Sequence, residues 1–100
     1  MDKELLKKAV VGIEKYSQGH CLVACVLIEL ECDYQATASI PYLISKTGLT
    51  KPTVYSALSM LQKDKLITKN QDFVNTYIFD KTRVQQLTDQ YLKKISIPDA

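Results

Sequence analysis

The chain is poor in glycine and proline, with three of each in 100 residues. That scarcity excludes a collagen-like, linker-rich or low-complexity protein. Long apolar runs are also missing. The longest, residues 21–28, falls far short of the roughly 20 residues that span a bilayer. The start, Met1-Asp2-Lys3-Glu4, is charged and has no apolar signal segment, so the expected compartment is the cytoplasm. Three cysteines is an odd count that fits a disulfide framework poorly, and the expectation is free, mostly buried thiols. There is one histidine, no glycine-rich phosphate loop and no nucleophile motif. The acidic residues are too scattered to nominate an acid–base pair, so the expectation is a non-enzyme without cofactor or metal.

What is present fits one soluble globular domain over residues 1–100, with 46% apolar and 24% charged residues. The net charge of +2 is small, but its distribution is uneven. Residues 1–19 carry +1, 20–38 carry −3, 39–69 carry +4, and 70–100 are neutral. Positive charge gathered in one third of a chain is a first sign of a nucleic-acid-binding element.

Helical spacing of Leu5, Leu6, Ala9, Val10 and Ile13 predicts a helix over 3–17, with Ser17-Gln18-Gly19 as its stop and Gly19 as a left-handed cap. Residues 20–32 are ambiguous, apolar all round at first and alternating later. Their length favours a buried central helix over a strand. A polar connection follows, with a short strand at Thr37-Ala38-Ser39. Ser39 and Pro41 then open a helix that Gly48 ends. Thr50 and Pro52 open another, with Val54, Leu58 and Leu61 on its apolar side. Residues 65–69 and 73–79 read as the two strands of a hairpin around Asn70-Gln71-Asp72. Asp80 or Thr82 caps a last helix over 82–95, with a seam of Val84, Leu87, Tyr91 and Ile95, and Pro98 ends it. The expected class is mainly α with one small β-hairpin.

The run from Ser39 to Tyr55 contains Thr47-Gly48-Leu49-Thr50, then Thr53-Val54. Followed by Leu58, Leu61 and Leu66-Ile67, it resembles the winged helix-turn-helix superfamily over residues 20–80. With extra helices at 3–17 and 82–95, it is similar to small MarR-like bacterial, phage or plasmid regulators. The chain lacks the Asp-x-Arg wing motif of true MarR repressors, and its only arginine is Arg83. The resemblance implies a transcriptional regulator that binds double-stranded DNA. Helix 51–63 would lie in the major groove, and the wing at 65–79 would lie at the flank.

By position, Thr53, Tyr55, Ser56 and Ser59 are the expected base-edge or thymine-methyl contacts, and Gln62 shares their face. Lys46, Lys51 and Lys63 are the expected phosphate contacts. Lys65 and Lys69 flank the wing, with Asn70 and Gln71 at its tip. The other reading of Tyr42 and Tyr55 is half-buried packing. Cys21, Cys25 and Cys32 are candidate redox thiols only if exposed and of low pKa; otherwise they are small core residues. The terminal helices imply a homodimer that sets two recognition helices in successive grooves; the alternative is that they fold back on their own core. Two further alternatives stand beside the regulator: a winged-helix protein-docking module without DNA binding, and a replication or transfer accessory protein of a mobile element.

Overall fold

A computed structural model describes residues 1–95. It is mainly helical, with a small antiparallel sheet. In chain order the elements are α1 (Lys3–Val11), α2 (Gln18–Leu30), β1 (Gln35–Thr37), α3 (Ile40–Thr47), α4 (Lys51–Lys63), β2 (Ile67–Lys69), β3 (Thr76–Phe79) and α5 (Lys81–Ile95). No helix among the described residues is long and apolar enough to cross a membrane. The predicted stop at Pro98 lies outside the described residues.

The first helix is shorter than its apolar stripe predicts. Asp2 caps it by accepting from the Leu5 N–H, and it closes at Gly12. Residues 13–16 continue as tight turns through Ile13 N–H to the Val10 carbonyl and Tyr16 N–H to the Ile13 carbonyl. Ser17-Gln18-Gly19 is not a stop. Ser17 accepts from the His20 N–H while His20 Nδ1 accepts from the Ser17 N–H, a reciprocal capping box that begins α2. Gly19 lies inside that helix, in right-handed conformation.

The predicted central helix is α2. Val23, Ala24, Leu27 and Ile28 are buried on it and pack against Val54, Ala57, Leu58 and Leu61 of α4. Each large side chain buried there contributes about 1.5–3 kcal/mol. Gly48 adopts φ +72°, a left-handed cap between α3 and α4, and its N–H returns to the Ile44 carbonyl. Nothing lies within 4 Å of where a Cβ would sit, so conformation rather than space requires glycine here.

The sheet has three strands in the order β1-β3-β2, so the expected short early strand joins the hairpin. The early strand is Gln35–Thr37 rather than 37–39, because Ser39 is spent capping α3 through the Tyr42 N–H. Tyr77 sits at the centre of the sheet, opposite Ala36 on one side and Lys69 on the other. Both hairpin strands are shorter than their apolar composition predicts. Lys65 takes a left-handed φ of 62° at the exit from α4, which delays β2 to Ile67. Asn75 takes φ 57°, which confines β3 to Thr76–Phe79 and leaves Phe73 and Val74 exposed in the turn. Asp80 caps α5 by accepting from the Arg83 N–H at 2.7 Å, so that helix begins one residue before the predicted 82.

Candidate nucleic-acid interface

Helix α4 has two unlike sides. Val54, Ala57, Leu58 and Leu61 face inward, and Lys51, Thr53, Tyr55, Ser56, Ser59 and Lys63 are exposed. No acidic residue occurs between Lys51 and Lys63. The expected contact residues on this helix therefore share one exposed, acid-free face.

Their environments differ. The Thr53 hydroxyl pairs with the Thr50 hydroxyl at 2.8 Å. Its methyl stands against Gly19, where an added Cβ would lie only 3.2 Å away. Thr53 thus holds the first turns of α2 and α4 together, a role that helical periodicity does not reveal. Thr50 sits at the N-cap but gives the helix no side-chain cap. The first-turn N–H groups of α4 therefore have no side-chain acceptor there, which suits an anion.

Tyr55 and Ser59 line a small concavity with Gln62, Lys69 and Tyr77. The fold thus brings a strand lysine next to the polar face of α4. Tyr77 was not among the expected contacts, and its place at the centre of the sheet is set by pairing rather than by local sequence. Burial, and then the nearby Tyr55, push its phenol above the usual range. Tyr55 is half exposed. Lys46 projects from α3 with its ammonium 5.7 Å from the centre of the Tyr42 ring.

At the hairpin turn, the expected contacts divide. Gln71 is exposed. Asn70 spends both ends of its amide within the chain: Oδ1 accepts from the Asp72 N–H at 2.8 Å, and Nδ2 donates to Gln35 Oε1 at 3.2 Å. It shapes the turn.

The cysteines do not behave as one group. Cys21 and Cys25 are half-buried and Cys32 is exposed, against the expectation of mostly buried thiols. Burial pushes Cys21 up, aided by Cys25, and burial pushes Cys25 up against the lowering influence of Lys7. Protonated thiols of this kind are poor nucleophiles at neutral pH. No cluster of three or more potential metal ligands occurs among the described residues.

The end of α4 is tied to the α1–α2 connection and to the start of α5. Asp64, at the C-cap of α4, accepts from Lys15 Nζ at 2.8 Å, and Arg83 Nε donates to its backbone carbonyl at 3.2 Å. The Tyr16 hydroxyl and Asp64 Oδ2 are buried together. Their contact falls short of a well-formed hydrogen bond yet shifts both groups. Burial, then Asp64, pushes the Tyr16 phenol up. Burial opposes the charge on Asp64, but Lys15 and Tyr16 outweigh it and hold the carboxyl below its ordinary range.

The terminal helices pack on each other and on their own core through Leu6, Ala9, Val10, Val84 and Leu87. Val11, Leu22, Leu92 and Ile95 stay exposed. Val11 lines one groove with Tyr16, Cys21, Leu22 and Cys25, and a second with Lys7, Lys8, Gly12 and Tyr91.

No known protein family, curated protein or solved structure matches this chain.

Proposed function

We propose that the chain is a MarR-like winged helix-turn-helix protein that binds double-stranded DNA sequence-specifically and regulates transcription. What supports this most is the outward face of α4, which is continuous, hydrogen-bonding and free of acidic charge, on a helix firmly packed from behind. A helix of this kind, supported by another, suits a major groove about 12 Å wide. Lys51, Lys46, Lys63 and Lys69 meet phosphates, while Tyr55, Ser56 and Ser59 read base edges. The hairpin lies at the flank. Two copies pair through the exposed apolar residues of the terminal helices, Val11, Leu92 and Ile95, with Leu22 beside them. A two-fold pair sets its recognition helices one helical turn of DNA apart.

A fluorescence-anisotropy titration against duplex DNA at several salt concentrations tests the reading. Affinity falls steeply with salt, because each phosphate contact releases counterions. Lys51→Ala weakens binding to every sequence and lowers the salt slope by about one. Ser56→Ala changes discrimination between sites by about 1–3 kcal/mol. Absent binding at low salt, or binding indifferent to salt, overturns the proposal.

A further inference from the structure

The two most exposed large apolar side chains among the described residues are neighbours in sequence. Val74 is 83% exposed and Phe73 65%. Both stand in the turn between β2 and β3, whose other residues, Asn70, Gln71, Asp72 and Asn75, are polar. A single exposed apolar residue needs no explanation. Two together, in a well-pinned turn, do.

The turn is held from both sides. Asn70 N–H donates to the Thr76 carbonyl at 2.9 Å, and Ala38 N–H donates to the Asn75 carbonyl at 2.9 Å. The Asn70 side chain ties the turn to Gln35 and to the Asp72 N–H. The Thr76 hydroxyl, itself paired with Thr37, donates to the Val74 carbonyl at 3.2 Å. The base of the hairpin is thus fixed, and the apolar pair is presented by it.

The hairpin shares a concavity with each helix of the proposed interface. On one side, Val74 and Asn75 line a concavity with Ser39 and Tyr42 at the start of α3. On the other, Lys69 and Tyr77 of the hairpin line the concavity that holds Tyr55 and Ser59. The nearby cations are Lys69 on the hairpin and Lys46 over the Tyr42 ring, in the stretch that carries +4. This charge favours a polyanion over an apolar protein surface as the occupant. The one acid at the turn, Asp72, is exposed and opposes that occupant.

We infer that Phe73, backed by Val74, is a wedge that enters the minor groove of duplex DNA and partly unstacks one base step. This rests on the DNA-binding reading and adds to it a second, apolar mode of recognition. Apolar side chains inserted between base steps kink a duplex toward its major groove. Pyrimidine–purine steps such as TA give way most easily, so the wedge selects a deformable step that no α4 side chain touches. The lysines hold the backbone while the ring finds the step.

The test uses an A·T-rich duplex of about 30 base pairs containing TA steps, in low salt. It carries 2-aminopurine at each TA step in turn and a dye pair at its ends. The intact chain brightens the 2-aminopurine at one step and shortens the end-to-end distance. Phe73→Ala abolishes the brightening and reduces the bend. It weakens binding about tenfold, the range for loss of a base–aromatic stack, and leaves the salt slope unchanged. Asp72→Asn tightens binding several-fold. Thermal melts of both variants match the intact chain, because neither side chain is buried. If the intact chain binds and Phe73→Ala binds, bends and brightens equally, the wedge is wrong and the DNA reading stands; the tip then serves a protein surface. If the intact chain binds no duplex in low salt, both fail.

Discussion

The outward face of α4 and the outward face of the terminal helices are opposites in chemistry. The first exposes hydroxyls, a phenol and lysines around one buried stripe. The second exposes Val11, Leu92 and Ile95, and Val11 shares a groove with Leu22 of α2 and the half-buried Cys21 and Cys25. Each helix spends one side on the common core, so what differs is the side left over. A leftover face of hydrogen-bonding and positive groups is content in water, and under the proposed function it meets a polyanion. A leftover apolar face is stabilised when something apolar covers it. The Lys15–Asp64–Arg83 cluster ties the end of α4 to the α1–α2 connection and to α5.

The sharpest way to test this contrast is to cross α4 itself. Leu61→Ala, on the fully buried side, lowers stability by about 2–5 kcal/mol in chemical denaturation. Ser59→Ala, two residues earlier on the exposed side, stays within about 0.5 kcal/mol of the unaltered chain. Equal losses at both positions would show that the outward face is also structural.

The join between the two regions is tested next. Asp64→Asn removes the charge that compensates Lys15 in a nearly enclosed site, where Asp64 is 9% exposed. The expected loss is about 1–3 kcal/mol at neutral pH. The carboxyl is held below its ordinary value when folded. Its contribution is therefore present above the unfolded pKa of about 3.9 and disappears as pH falls through the lower folded value. Urea midpoints of the two proteins should converge as the solution is acidified below about pH 4. A gap that persists unchanged in acid would assign the loss to packing instead.

A smaller effect is expected at the turn that orients α3 against α4. Gly48→Ala places a Cβ at φ +72° and costs about 1–2 kcal/mol, although the site has open space. A neutral result would mean that the turn relaxes readily. The smallest change in monomer stability is expected on the apolar face. Val11→Ser with Leu92→Ser leaves the thermal midpoint of the monomer nearly unchanged but shifts sedimentation from dimer to monomer at micromolar concentration. Monomers already present in the unaltered chain would remove the proposed pairing.

Much of the architecture was legible where single residues dominate local conformation. Ser39, Pro41 and Gly48 mark α3, and Pro52 with the spacing of Val54, Leu58 and Leu61 marks α4. The limits were set by competition among caps. Ser17 pairs with His20 to begin a helix where Ser17-Gln18-Gly19 reads equally well as an ending. Phe73 and Val74 have the composition of a strand, but the left-handed Asn75 cuts them out of it. On the candidate interface, the exposure of Tyr55, Ser56 and Ser59 followed from helical periodicity. The occupation of Thr53 by Thr50 and Gly19, and of Asn70 by Gln35, did not.

Periodicity and punctuation, by themselves, determined α3, α4 and which side of α4 is oily, because these depend on steric and solvation preferences within a few residues; the segment of α2 needed its length as well. Only the tertiary structure decided what lies beside what: Tyr77 and Lys69 next to Tyr55, Asp64 between Lys15 and Arg83, and β1 closing the sheet on β3. Such neighbours are more than a dozen residues apart in the chain. They meet because burying the shared apolar core leaves the polar side chains to pair wherever that packing delivers them.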